Sequence, residues 1–326
     1  MTMIEEPTAV AEVSGVSAIV RAMFSEGLPQ RAPIPSLTTR PPLVGGLMRS
    51  SALTTAPRTP APRLELLELL EYGEPELHYQ PVVELLSGRV IGAEALLRWR
   101  YGDEIVPPSV IVPLAEQMGV INEIGAWVVE EACRQLASWH RSANGTTFPS
   151  VSVNVSPTQL HGSGLATTIT RALATAGLQP HHLAIELTED IPIVGVHAAA
   201  VVAEIADLGV TVALDDLGVG HSSLRLLSQM PIHVVKLDRQ FVAALTNDRE
   251  CYEVVAGLIR VVHERGKVVV AEGVETSEQA DVLRALDADF AQGFFFGAPA
   301  PPTRLESRLA QKFGSFEPAD LLCCRR

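Results

Sequence analysis

TVALDDLGVGHSSL, residues 211–224, is an apolar, β-branched run that ends in two adjacent carboxylates and a glycine-bearing loop. Neighbouring strand residues point to opposite faces. Asp215 and Asp216 are therefore expected to converge only where the strand stops and the backbone turns. Gly218 and Gly220 are expected to supply that turn, because glycine reaches backbone angles closed to other residues. Two negative charges held at one strand end repel, and must be offset by metal ions, hydrogen bonds or a raised pKa.

Working outward, the same texture repeats. SVSVNVS (150–156), LAIELTE (183–189), HVVKLD (233–238) and KVVVAEG (267–273) read as strands, with FAQGFFF (290–296) last. Helical patterns fall between them, up to about 176 and then across 196–208, near 222–229, across 250–265 and across 277–287. Upstream, LELLELLE (64–71) is helical, LHYQPVVEL (77–85) and RVIGAEALLRW (89–99) read as strands around a Ser-Gly turn, and an amphipathic helix crosses 121–141. Short strands alternating with helices of this length indicate βα units and a parallel sheet. About eight strands suit a β/α barrel. An open doubly wound sheet would want a glycine-rich phosphate fingerprint after its first strand, and none is present.

Parallel strands are covered on both faces and should read as continuous apolar runs. Here almost every one carries a polar residue near its C-terminal end: Glu94, Asn154, Glu186 with Glu189, Asp215 with Asp216, Lys236 with Asp238, Glu272 with Glu275, and Gln292. Burying an unpaired carboxylate costs several kcal/mol, and barrel enzymes draw their catalytic residues from the ends of different strands. The expectation is a set converging on the barrel mouth. All the ligands are oxygens, which disfavours zinc and favours Mg²⁺ or Mn²⁺. Five or six carboxylates exceed what one such ion takes, whereas two ions bridged by a shared aspartate suit in-line phosphoryl displacement. Lys236 is placed to position the attacking water, and Arg98, four residues past Glu94, to clamp a phosphate.

The net charge of −13 argues against a nucleic-acid polymer as partner. An anionic substrate remains compatible, because bound cations invert the local field. Cys133, Cys251, Cys323 and Cys324 show no metal spacing, and the first two are expected to pack as small apolar residues. Residues 1–62 hold nine of the 23 prolines and read as a flexible Pro/Ala/Thr-rich tail with a short helix at most around 9–24. Residues 63–314 are expected to form the barrel, and 315–326 a second tail. No apolar run approaches a membrane span and Glu5 and Glu6 stand where a signal peptide carries positive charge, so the expected location is the cytoplasm. His181–His182 is expected in a solvated loop, and Phe294–Phe296 in core and rim packing.

The run YQPVVELLSGRVIGAEALLRW resembles the opening of the EAL domains, the cyclic di-GMP phosphodiesterases named after a Glu-Ala-Leu motif, here Glu94-Ala95-Leu96. The resemblance continues through IVPLAEQMGVI (111–121), VSVNVSPTQL (151–160), AIELTE (184–189), ALDDLGVGHSSL (213–224), VVKLDRQFV (234–242), VVAEGVET (269–276) and AQGFFFGAP (291–299). It implies a modified β/α barrel with an antiparallel first strand, and hydrolysis of cyclic di-GMP to linear pGpG with two Mg²⁺ or Mn²⁺ ions. By motif, Glu94, Asn154, Glu186 and Asp215 would hold one metal, and Asp215, Asp216 and Glu272 the other. Lys236 would contact the catalytic water, with Glu272 as general base and Glu189 anchoring the loop after the paired aspartates. Gln80, Leu96, Arg98, Asp238 and Gln292 match substrate-contacting positions. A homodimer through the barrel is implied as well, and the N-terminal tail is available for a protein partner.

The departures lie in the loop. Where the family shows DDFGTGYSSL, this chain has Leu217, Val219 and His221. That loop couples metal binding to dimerisation in the family. The alternative expectation is therefore an EAL receptor that binds the nucleotide with little or no hydrolysis.

Overall fold

A computed structural model of the chain describes residues 69–141, 148–162, 164–188, 196–217 and 223–313. Both tails, the loop positions Val219 and His221, the glycines Gly218 and Gly220, and Glu189 lie outside them. The chain divides into two compact units, Met1–Glu74 and Pro75–Arg326. Of the first, residues 69–72 are helical and end the LELLELLE pattern.

The second unit is a closed barrel. In chain order it runs β1 (Glu74–Glu84), β2 (Val90–Tyr101), β3 (Glu104–Val106), α1 (Pro108–Met118), α2 (Ile121–Arg141), β4 (Val151–Val155), α3 (Leu165–Ala176), β5 (Leu183–Thr188), α4 (Val196–Asp207), β6 (Thr211–Leu217) and α5 (Ser223–Gln229). It continues with β7 (Val234–Leu237), α6 (Arg239–Ala244), α7 (Arg249–Glu264), β8 (Val268–Ala271), α8 (Ser277–Ala285), β9 (Phe290–Ala291) and α9 (Pro302–Phe313). The strand order is β1-β9-β8-β7-β6-β5-β4-β2, and β1 also pairs with β2, which closes the ring at eight strands. β3 folds back on β2 as an antiparallel extension outside the ring. From β2 through β9 the ring is parallel, whereas β1 runs antiparallel to β9, with Val83 opposite Ala291. The antiparallel first strand expected from the resemblance is there.

Alternation along the strands sorts the side chains. Val151, Val153, Leu183, Ile185, Leu187, Val212, Leu214, Val235 and Leu237 are fully buried and lie on the helix-facing side. The intervening set, among them Ser152, Ala184, Glu186, Ala213 and Lys236, lines the lumen. Glu94, Asn154, Glu186, Asp215, Lys236 and Gln292, which interrupted the apolar runs, are therefore in phase on the inner face. Outside, α2 buries Ile124, Trp127, Val128, Ala132, Leu136 and Trp139, an i, i+3, i+4 stripe. Trp139 packs edge-on against Tyr79, with ring centroids 4.9 Å apart. Cys133 is buried in the same helix, where burial pushes its thiol up to about 12 and leaves it unreactive.

Two expectations are corrected. FAQGFFF is not one strand: β9 ends at Ala291 and Phe294–Phe296 form a turn. The cause is Gly293, whose backbone crosses that of Val274 so closely that a Cβ there would lie 2.1 Å from the Val274 carbonyl oxygen. Phe296 is buried in the turn, but Phe294 is 67% exposed. His182 is half-buried rather than solvated, its Nδ1 accepting from the Gln179 amide at 3.1 Å and its ring edge-on to His140. Residues 108–118 are also helical, opened by Pro108 at the first position and closed by Gly119 in the left-handed region.

Gly293→Ala is expected to destabilise the protein by about 1–3 kcal/mol, the cost of holding a residue in strained backbone. Urea unfolding of the variant with an unchanged midpoint would show that the crossing relaxes freely.

Candidate metal centre at the barrel mouth

Most of the polar lumen residues sit at or just past the C-terminal ends of their strands, whereas Glu94 lies within the longer β2. β2 contributes Glu94, β5 Glu186, β6 Asp215 and β7 Lys236, and Glu272 follows β8 directly, its amide bonded to the Leu237 carbonyl. The Lys236 ammonium is the hub. It lies 2.5 Å from Glu186 Oε2, 2.6 Å from Glu272 Oε1, 3.3 Å from Asp215 Oδ1 and 3.5 Å from Glu94 Oε2. It is 2% exposed. Burial alone would favour the neutral amine, but the four carboxylates outweigh it and hold the group charged.

Two amides complete the ring. Asn154 Nδ2 donates to Glu94 Oε1 at 2.8 Å, and Gln292 Nε2 donates to Glu94 Oε2 at 2.6 Å and Glu272 Oε1 at 3.2 Å. Burial raises the Glu94 carboxyl, yet Lys236 and these hydrogen bonds bring it below the ordinary range. Glu186 goes the other way. Burial, then repulsion from Glu94 and Asp215, pushes it well above its usual value despite Lys236. Burial likewise lifts Glu272 to about 7.

Asp215 and Asp216 converge by a different device from the one expected. β6 does not stop before them: it runs on to Leu217, which still pairs with Leu237. Between Leu214 and Leu217 the register slips, a bulge of the kind that re-aims side chains beside active sites. Asp216 itself takes the left-handed conformation at φ 59°, unusual outside glycine, and its amide donates to Asp215 Oδ1 at 3.0 Å. The strained residue is thus the aspartate. Asp215, Asp216 and Glu272 each present an oxygen, all within 4.8 Å of one another. Burial, then Asp215 and Asp238, raises Asp216 to about 6.

The donor set fits a hard divalent cation: carboxylate oxygens and an amide, with no sulfur or imidazole. Asp215, Asp216 and Glu272 stand close enough to offer oxygens to one ion, while Glu94, Glu186, Asp215 and Glu272 surround Lys236 and Asn154 bonds to Glu94.

The remaining predicted residues divide. Asp238 is buried and caps α6, its Oδ1 accepting from the Gln240 amide at 2.7 Å, with Asp216 beside it. Gln80 is buried on β1 and donates to the Gly297 carbonyl at 3.1 Å. Leu96 is half-buried on β2. Arg98 Nη1 donates to the neighbouring Leu97 carbonyl at 2.8 Å, so its guanidinium is not drawn into the carboxylate ring. Sequence reading missed the pair of inward positions beneath the ring, Ser152 and Ala184. Their signal was small residues two places before Asn154 and Glu186. No helix among the described residues is long and apolar enough to cross a membrane.

The EAL domain family model matches residues 63–299. The bifunctional diguanylate cyclase/cyclic di-GMP phosphodiesterase MucR of Pseudomonas aeruginosa is 36% identical over 248 residues, 76% of this chain and 36% of MucR. The cyclic di-GMP phosphodiesterase NbdA of the same organism is 35% identical over 257 residues, 78% of this chain and 33% of NbdA. This chain thus spans about a third of the length of these relatives. A solved MucR phosphodiesterase in complex with c-di-GMP superposes with a TM-score of 0.67 at 34% identity, covering 74% of this chain and 98% of that one.

Each ring carboxyl must be ionised to hold a cation, and Asp216 and Glu272 carry folded pKa values of about 6 and about 7. Mn²⁺ affinity is therefore expected to rise as pH climbs from about 5 through 7. The same raised pKa values stabilise the metal-free fold at low pH, and that contribution is lost as pH rises through 6–7. Calorimetric Mn²⁺ titrations and thermal melts across this window should slope in opposite directions; parallel slopes would contradict the assignment.

Proposed function

The chain belongs to the EAL domain family, and from that footing we propose that it is a metal-dependent phosphodiesterase hydrolysing cyclic di-GMP to linear pGpG in the cytoplasm. The observation that carries this reading is the convergence of carboxylates from four βα units on one buried lysine, with Asp215 also within 4.8 Å of Asp216 and Glu272 oxygens.

In this reading Glu94, Asn154, Glu186 and Asp215 hold one Mg²⁺ or Mn²⁺, and Asp215, Asp216 and Glu272 the second. When bound, such a pair supplies a Lewis acid for the phosphoryl oxygens and lowers the pKa of the attacking water. Lys236 orients that water from beneath, and Glu272 receives its proton. The water oxygen forms the new P–O bond, one ester P–O bond breaks, and the released 3′-oxygen takes up a proton, giving pGpG. Gln80, Leu96, Arg98, Asp238 and Gln292 line the path of the nucleotide, with Arg98 free to swing from its Leu97 carbonyl onto a phosphate. Glu189 supports the loop after Asp216. The protein acts as a homodimer through the barrel, and residues 1–62 offer a partner-binding tail.

A second reading, a receptor that binds cyclic di-GMP without cutting it, draws on Leu217, Val219 and His221. Leu217 itself is buried at 2% exposure and keeps its place in β6, which favours the enzyme.

Purified full-length protein with Mg²⁺ or Mn²⁺ is expected to convert cyclic di-GMP to pGpG. Glu94→Ala should lower the rate by more than about 100-fold, the upper end of what outer-shell changes alone cost. Tight nucleotide binding in Ca²⁺ with no pGpG in either metal would select the receptor.

A further inference from the structure

The first two strands outrun the rest of the barrel. β2 pairs with β4 at Ala93, Glu94 and Ala95 and then continues to Tyr101. β1 meets β9 at Val83 and Glu84, having begun at Glu74. Because β1 runs antiparallel and pairs with β2, its start and the end of β2 stand together above the mouth as a two-stranded wall. Alternation decides which side chains this wall turns to the mouth. Tyr79 packs outward on Trp139, whereas Val82 lines the lumen. Glu76, His78 and Gln80 share the face of Val82, and Arg98 and Arg100 share that of Glu94. Glu76, His78, Arg98 and Arg100 therefore overhang the carboxylate ring. Arg98 lies four residues past Glu94, about 13 Å along the strand.

The contacts within this cluster fix the imidazole from one side. Glu76 Oε2 accepts from Arg100 Nη2 at 2.5 Å and from Nε at 3.2 Å, and Glu76 Oε1 lies 3.0 Å from His78 Nε2. A carboxylate only accepts, so Nε2 carries the hydrogen. Burial holds the imidazole below the usual histidine range; the Glu76 bond opposes this, and the charges of Arg98 and Arg100 add to it. At pH 7 the ring is thus neutral, and Nδ1 is a bare acceptor with no partner among the described residues. Arg98 has no carboxylate within ion-pair distance among the described residues, and bonds the Leu97 carbonyl instead. The wall therefore carries more positive than negative charge, above a ring with the opposite balance. That suits an anion, held by Arg98 and by Nδ1 once it is protonated.

We propose that His78 is a substrate-binding residue, forming with Arg98 an anion subsite for the phosphodiester of cyclic di-GMP that is not cut. Its Nδ1 takes a proton from solvent as that phosphate arrives and donates it in a hydrogen bond to a phosphate oxygen. Glu76 and Arg100 are positioning residues, which hold the imidazole through Nε2 and leave Nδ1 to the anion. The charged groups that face the imidazole are Glu76 on its own strand and Arg98 and Arg100 on β2. Affinity for the nucleotide through this subsite rises as pH falls. The inference rests on the substrate proposed above, but not on turnover.

The test uses the full chain saturated with Ca²⁺, so that proton release on metal binding is already complete. Calorimetric titration with cyclic di-GMP at pH 7, in Pipes and in Tris, gives the protons taken up per nucleotide from the difference in buffer ionisation heat. The wild type should show net uptake. His78→Gln should abolish it and raise the dissociation constant roughly tenfold, as loss of one charge-assisted hydrogen bond does. His78→Lys, with a permanent charge, should regain most of the affinity without any uptake. Thermal melting checks that each variant folds, and if the glutamine variant does not, uptake retained in the lysine variant overturns the proposal. Unchanged uptake or unchanged affinity in folded His78→Gln overturns it as well. Binding that depends on His78 in a protein making no pGpG contradicts only the hydrolase reading. A protein that makes pGpG, and whose His78→Gln variant binds as the wild type does, contradicts only this one. A wild type that does not bind the nucleotide overturns both.

Discussion

The Lys236 ammonium, held by carboxylates from four separate βα units, is the interaction on which the barrel mouth depends. At about 3 Å and an effective dielectric near 20, each contact is worth on the order of 5 kcal/mol before desolvation. Taking each ion out of water costs several kcal/mol in return. One ammonium cannot neutralise four carboxylates. Burial, and after it repulsion from neighbouring carboxylates, raises Glu186 and Glu272, and the excess negative charge suits the ring to a divalent cation. Lys236 thus holds the strands' ends in register while leaving the ring short of positive charge.

The barrel makes this arrangement possible by separating two tasks along each strand. Outward positions such as Ile185, Leu214 and Val235 bury the apolar surface that stabilises the fold. Inward positions are then free to carry chemistry, and at their upper level every one does. One level down Gly92, Ser152, Ala184 and Ala213 are small, and a cavity lies there beneath the ring. Stability resides between sheet and helices, and the lumen bears the polar load.

Much of this was legible in the sequence because it follows from period-two alternation. Glu94, Asn154, Glu186 and Lys236 interrupt apolar runs at strand ends, and the structure places them on one inner face. The strand-helix order was legible for the same reason. The Asp215–Asp216 pair shows where such reading ends. Glycines seemed the natural source of the turn, since glycine tolerates positive φ, but the structure gives the strained angle to Asp216 and keeps β6 running to Leu217. A bulge depends on pairing with β7, a long-range contact without a local signature. Likewise FAQGFFF carries strong β propensity, yet the backbone crossing at Val274 and Gly293 ends the strand at Ala291. Arg98 and Asp238 have tasks that spacing did not reveal, a bond to a neighbouring carbonyl and a helix cap.

The central claim is that two ligand groups share Asp215. Anomalous diffraction from crystals of the full chain grown with Mn²⁺ tests it most directly. The expected result is two manganese peaks, both within coordination distance of Asp215, one also reaching Glu94, Asn154 and Glu186 and the other Asp216 and Glu272. A single peak that leaves Asp216 and Glu272 uncoordinated, or manganese bound away from Asp215, would contradict it.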